Sequence, residues 1–169
     1  VKALPNKNIF FIPDRNLARH VASQVPEKNF VFNEGWCPVH EKLLLSELLE
    51  AKQEHPDALV LTHPECKKEI VEISDYIGST SGIIDFATKS DAKEFIICTE
   101  NGVLYELEKK NPDKKFYFTK TEPVCHDMKL ITLEKIKEVL ETGTNAVEVD
   151  ETVREKSKKP LERMLELGK

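Results

Sequence analysis

Short runs of β-branched and aromatic residues recur along the chain at positions 8–12, 30–32, 58–62, 94–98 and 115–118, and these predict strands. Between them, residues 17–24, 40–54, 67–74 and 102–110 carry apolar positions at three- and four-residue spacing, the period of a helix with one buried face. Strands alternating with helices argue for a mostly parallel sheet covered on both faces and joined by right-handed βαβ units. The expected fold class is α/β, built of three-layer αβα units. Past position 118 the pattern changes to two helical segments, 133–140 behind a cap at Thr132 and 151–167 behind a cap at Asp150, and no further strand is expected. The last segment is dense in Lys, Arg and Glu, with Val153, Leu161, Met164 and Leu165 as a sparse apolar face. That suits a surface helix docked on one side, its charges forming a solvated face.

Composition narrows the classes. A hydrophobic share of 40% beside a charged share of 33% supplies enough apolar surface for a folded protein rather than a disordered one. A net charge of −5 argues against general binding to nucleic acid or to an anionic membrane, and leaves small molecules as the expected partners. No apolar run reaches the length of a bilayer span, and the start, Val1-Lys2-Ala3-Leu4-Pro5, does not have the layout of a signal peptide. A cytoplasmic location is therefore expected. With no secretory signal, and with His or acidic residues near three of them, the four cysteines are read as ligands or reactive thiols before disulfides.

In open α/β sheets ligands bind beyond the carboxyl ends of strands, so residues that follow each strand carry most of the chemical interest. Here they are Pro13-Asp14-Arg15-Asn16, His63-Pro64-Glu65-Cys66 and Thr99-Glu100-Asn101-Gly102. His63-Pro64-Glu65-Cys66 places an imidazole, a carboxylate and a thiol within one turn, as proton transfer or metal chemistry requires, although helix capping explains the same residues equally well. Asp14, at a helix start, is fully accounted for as an N-cap. Gly78-Ser79-Thr80-Ser81-Gly82 can present hydroxyls and backbone N–H groups to a carboxylate or phosphate at a helix N-terminus, or it is a capped glycine turn. Cys37 in Trp36-Cys37-Pro38-Val39-His40 and Cys125 in Val124-Cys125-His126-Asp127-Met128 both lie at segment junctions, where a shared metal can be gripped. Their separation does not distinguish zinc, an iron–sulfur cluster, a redox pair or two unrelated thiols. Cys98, ending an apolar strand, reads as a small buried hydrophobe.

Taken in order, Pro13-Asp14-Arg15-Asn16-Leu17, Cys37-Pro38-Val39-His40, His63-Pro64-Glu65-Cys66, Ser79-Thr80-Ser81-Gly82, Thr99-Glu100, Cys125-His126-Asp127-Met128-Lys129 and Glu162-Arg163-Met164-Leu165 resemble the quinolinate synthase family. The resemblance runs over nearly the whole chain. It implies three related α/β domains around a central active site, with a [4Fe–4S] cluster held by one Cys from each domain and its fourth iron open to substrate. The reaction implied is condensation of iminoaspartate with dihydroxyacetone phosphate to quinolinate in de novo NAD biosynthesis, with a functional link to L-aspartate oxidase. By motif, Cys37 and Cys125 correspond to two of the three cluster ligands. His40, His63 and Glu65 correspond to catalytic and substrate-binding residues, Glu65 foremost for acid–base work, and Ser79, Thr80 and Thr99 to binders of substrate carboxylate. Met128 would lie near the cluster.

The family's first domain, with the third Cys ligand, and most of the first half of its middle domain have no counterpart here. Residues 1–36 are then expected to be the remainder of the middle domain, residues 37–124 the third domain, and residues 125–169 a ligand loop followed by helices that dock on the missing N-terminal portion. The chain by itself is expected to be inactive. The competing expectations are a non-catalytic zinc- or thiol-containing module using Cys37, His40 and Cys125, and an inactive fragment.

Overall fold

The computed structural model describes residues 1–168. By internal contacts the chain divides into two compact units, one spanning Asn6–Cys125 and the other joining Val1–Pro5 to the residues from His126 onward.

The larger unit is α/β with parallel strand pairing throughout. Strands β1 (Asn8–Phe11) and β2 (Asn29–Phe32) pair in parallel across helix α1 (Arg15–Ser23). A one-turn helix, α2 (Pro38–Lys42), and α3 (Leu45–Glu54) then lead into a second sheet. Its strands are β3 (Leu59–Thr62), β4 (Tyr76–Ile77), β5 (Glu94–Cys98) and β6 (Lys115–Tyr117), in the order β4-β3-β5-β6. The connecting helices are α4 (Lys68–Val71), α5 (Thr80–Lys89) and α6 (Leu104–Lys110), the last preceded by a 3-10 turn at Asn101–Val103.

The core follows from the two-residue period of a strand. Val60, Ile96 and Cys98 point to one face and join Leu43, Leu48, Ala51 and Ile70 of α2–α4 and their connections. Leu61, Phe95 and Ile97 point to the other and join Ile83, Ala87, Val103 and Leu107 around α5 and α6. Both faces are thus covered, which is why β3 and β5 are near-continuous apolar runs rather than alternating ones. Phe95 is fully buried and stacks on Phe116 with ring centroids 5.6 Å apart. Phe95→Ala is expected to lower the stability of this unit by about 3–5 kcal/mol, read by urea unfolding, because the cavity left in a packed sheet cannot collapse.

Several boundaries differ from the sequence pattern for identifiable reasons. The single helix expected at 40–54 is broken at Leu43–Leu44, both in extended conformation. Leu43 leaves the helix to become fully buried in the core, and its carbonyl accepts from Lys67 Nζ at 3.3 Å. The two-residue strand β4 was not marked by any apolar run, and it carries only two paired positions against β3.

In the smaller unit, α7 (Leu133–Thr142) and α8 (Glu151–Leu167) start where expected, with Thr132 accepting from Lys135 N–H and Asp150 from Val153 N–H. Gly143 ends α7 at φ 65°, the left-handed conformation that glycine adopts without steric cost. Neither helix buries a residue, and Ile131, Ile136, Val139 and Leu140 line an open apolar groove with the stem of Lys135. No helix among the described residues is long and apolar enough to cross a membrane.

Candidate active site

The sheet order creates the location. From β3 the chain passes to α4 on one face, and from β5 it passes to α6 on the other, so the loops after these neighbouring strands part and leave a crevice at their carboxyl ends. The two strand ends are tied by His63 N–H donating to Cys98 O at 3.1 Å. His63 and Glu65 emerge from one lip of this crevice, Thr99 and Glu100 from the other.

His40, delivered by α2, completes the group. Its ring stacks on that of His63 with centroids 4.8 Å apart. His40 Nε2 lies 3.0 Å from Thr99 Oγ1, while Nδ1 lies 3.1 Å from Glu65 Oε2. His63 Nδ1 lies 3.7 Å from the same carboxylate oxygen. Glu65 is therefore held below the usual carboxylate range, first by its close contact with His40 and then by the charge of the neighbouring imidazoles. Burial, followed by the proximity of His40, pushes the His63 pKa down. The outcome is an ionised carboxylate beside a neutral imidazole at neutral pH.

Cys37 stands at the start of α2, and Pro38 at the first helical position fixes the turn. Cys37 Sγ, a ring nitrogen of His40 and a carboxylate oxygen of Glu65 lie within 4.8 Å of one another. Burial, and then the nearby carboxylates of Glu65 and Asp14, raise the Cys37 thiol above its ordinary pKa, so the thiol is not a free thiolate by virtue of its surroundings. A bound cation would supply the charge that favours the thiolate. His40 Nδ1 is buried, and Glu65 Oε2, 3.1 Å away, is poorly aligned with it for a hydrogen bond. This donor set, soft sulfur with imidazole and carboxylate close by, fits a metal centre next to acid–base groups.

Cys125 is not among those three donors. Its N–H donates to Glu100 Oε1 at 3.2 Å, and the loop before it is pinned by Asn101 N–H to Pro123 O at 2.9 Å and Asn101 Nδ2 to Glu122 Oε1 at 2.8 Å. Because Thr99 and Glu100 are adjacent, the partner of His40 and the anchor of Cys125 come from the same strand end. Ser79 caps α5, its Oγ accepting from Gly82 N–H at 3.2 Å and lying 3.1 Å from Ser81 Oγ. Gly78 N–H donates to Thr62 O at 3.1 Å, which starts this loop beside the end of β3. Ser79 and Thr80 are exposed there, and the hydrogen bonds of Ser79 are local.

One sequence model, described as Quinolinate synthetase A protein, matches residues 1–166. The chain belongs to the quinolinate synthase family. The quinolinate synthase of Caldicellulosiruptor saccharolyticus is 49% identical over 168 residues, which is 99% of this chain and 55% of that protein. That of Thermodesulfovibrio yellowstonii is 46% identical over 167 residues, covering 99% and 55%. That of Clostridioides difficile is 46% identical over 165 residues, covering 98% and 54%. The chain thus spans about half the length of the curated quinolinate synthases it matches.

Contacts invisible in the sequence pattern frame this group of side chains. Asn16 Nδ2 donates to Glu41 Oε2 and to Glu65 O, both at 3.1 Å, and Arg15 Nη2 pairs with Glu41 Oε1 at 3.0 Å while its guanidinium lies 4.6 Å from the Trp36 ring. These side chains strap α2 and the 63–66 loop to the start of α1. Asn16 and Glu41 are 25 positions apart, and no local spacing points to their pairing. Gly35 permits the close approach that brings Cys37 to this place. A Cβ there would lie 2.5 Å from the backbone oxygen of Pro13, so Gly35→Ala is expected to displace the Cys37 segment, seen as loss of metal retention in a protein with unchanged circular dichroism.

Proposed function

We propose that this chain supplies part of a quinolinate synthase active site, condensing iminoaspartate with dihydroxyacetone phosphate. The observation that carries the reading is the convergence of Cys37, His40 and Glu65 within 4.8 Å at a crevice of a parallel sheet, in a chain of this family. On this reading Cys37 and Cys125 are two of three thiolate ligands of a [4Fe–4S] cluster, the third belonging to an N-terminal portion. When bound, such a cluster supplies a Lewis-acidic iron that favours loss of water from a substrate.

The protein's own residues do the rest. Glu65, ionised, accepts a proton from a substrate carbon or hydroxyl, and His40 holds the carboxylate in place through Nδ1 while Thr99 orients its ring through Nε2. His63, neutral, relays or returns the proton. Ser79 and Thr80 offer hydroxyls, and with Thr99 they bind substrate carboxylate. Residues 1–36 would complete a middle domain, residues 37–124 form the third, and residues 125–169 carry the ligand loop and the helices that cover the N-terminal portion. The apolar groove on α7 is what that last role requires. Cytoplasmic placement and a supply of iminoaspartate from L-aspartate oxidase belong to the same reading.

The test is anaerobic reconstitution with iron and sulfide, followed by an assay of quinolinate formation. The full-length enzyme is expected to hold four irons and turn over. This chain alone, lacking the third ligand, is expected to release iron and make no quinolinate, and turnover by the chain alone would show that the active site is assembled elsewhere. Ser79→Ala in the full-length enzyme is expected to raise KM by the equivalent of about 1 kcal/mol with little change in kcat, since one neutral donor is removed. It should also cost about 1 kcal/mol of stability, because the same oxygen caps α5.

A second reading rests on the same three donors. Thiolate, imidazole and carboxylate at this spacing suit three ligands of a single Zn²⁺, and with a fourth ligand closing the site the chain would be a binding module without catalysis. Metal analysis separates the two: a brown protein with iron and sulfide favours the enzyme, a colourless zinc protein the module.

A further inference from the structure

We propose that Asp14 and Glu100 are positioning residues for the two cysteine ligands, each using one carboxylate oxygen to hold a cysteine's backbone N–H and the other to fix the start of its own helix. The inference rests on the reading of Cys37 and Cys125 as cluster ligands.

Asp14 follows β1 and is only 3% exposed. Its Oδ1 accepts from Leu17 N–H at 2.7 Å, which is ordinary N-capping. Capping uses one oxygen and is done as well by Asn or Ser. The second oxygen of a buried carboxylate also needs a partner, and Oδ2 finds it in Cys37 N–H at 2.8 Å. Glu100 follows β5 and repeats the arrangement: Oε2 accepts from Gly102 N–H at 2.7 Å and Oε1 from Cys125 N–H at 3.2 Å. Two cysteines 88 positions apart (125 − 37) are thus gripped by the same device at two different strand ends.

The device has an electronic side. Hydrogen bonds to sulfur and nearby charge both set the potential of an iron–sulfur cluster. Here the carboxylates of Asp14 and Glu100 stand beside the ligands, and their negative charge favours the oxidised, less negative cluster. In Asp14→Asn the side-chain oxygen keeps the cap on Leu17 and the amide nitrogen faces Cys37 N–H, so the hold on the cysteine is lost with the helix start intact.

The experiment uses the anaerobically purified full-length enzyme. Asp14→Asn, Asp14→Ser and Glu100→Gln are compared with wild type and with Asp75→Asn, a control in which the lost carboxylate accepts Val60 N–H at 2.7 Å away from both cysteines. Iron release to a chelator is expected to be about tenfold faster in the Asp14 and Glu100 variants, the size of effect seen when partners of metal ligands are removed. Their midpoint potentials should rise, with an altered electron paramagnetic resonance signal of the reduced cluster, while Asp75→Asn matches wild type. Release rates and potentials equal to wild type in folded Asp14 and Glu100 variants would overturn the proposal. Cys37→Ala and Cys125→Ala, run alongside, separate the two failures. If those retain four irons, the ligand reading itself is wrong; if they lose iron while Asp14→Asn and Glu100→Gln behave as wild type, the positioning role alone is wrong.

Discussion

Cys37→Ala and Cys125→Ala in the full-length enzyme are each expected to abolish stable iron binding, whereas Cys98→Ala retains it. On the proposed reading, losing one of three thiolates leaves a cluster edge open to water and oxygen, and neither Cys66 nor Cys98 of this chain stands ready to replace it. Cys98 is fully enclosed at the end of β5, and burial pushes its thiol up to about 12. Cys66 is almost as enclosed, its Sγ donating to Cys98 O at 3.3 Å, and burial raises its thiol still further. Both behave as core side chains. Iron and sulfide content of anaerobically purified variants measures the difference, and full loading of Cys125→Ala would remove it from the ligand set.

Glu65→Gln is expected to lower kcat by about 10²–10⁴-fold while changing KM little, the range associated with loss of a positioned acid or base. The amide keeps the volume and can still reach His40, but it neither carries the charge that the contact with His40 stabilises nor accepts a proton at neutral pH. Steady-state kinetics of quinolinate formation reads the split. An unchanged kcat would take Glu65 out of proton transfer and leave it as a support for His40.

The elements legible in the sequence were those whose pattern is set locally or by full burial. Glu94–Cys98 was read to the residue because Phe95-Ile96-Ile97-Cys98 is closed off on both faces. Thr132 and Asp150 were legible as caps because capping involves residues three positions apart. The break after α2 was hidden, since Leu43 has good helix propensity and leaves the helix only to fill the core between sheet and helices. The extent of helix α5 was hidden, because Gly78-Ser79-Thr80-Ser81-Gly82 reads equally as a helix N-terminus and as a capped glycine turn. At the site, the strand-end rule pointed to Asp14, His63, Glu65 and Thr99, yet not to which of them meet. The pairing of His40 with Thr99, 59 positions away, depends on where α2 packs against the end of β5, and that of Glu100 with Cys125 on β5 and β6 lying side by side.

The one-turn helix α2 has little to hold it by itself. The bonds at its two ends are Glu41 N–H to Cys37 O at 3.0 Å and a long 3.4 Å bond from Leu43 N–H to His40 O, and a helix of this length does not persist alone in water. Its order is lent by Arg15 and Asn16 on one side and by Thr99 on the other. Amide protons of residues 41–43 should then exchange with deuterium at a rate governed by those side-chain straps and not by unfolding of the neighbouring sheet. Asn16→Ala would speed exchange at 41–43 while leaving protection at 95–97 unchanged, so these few amides report the integrity of the corner formed by Cys37, His40 and Glu65 independently of turnover.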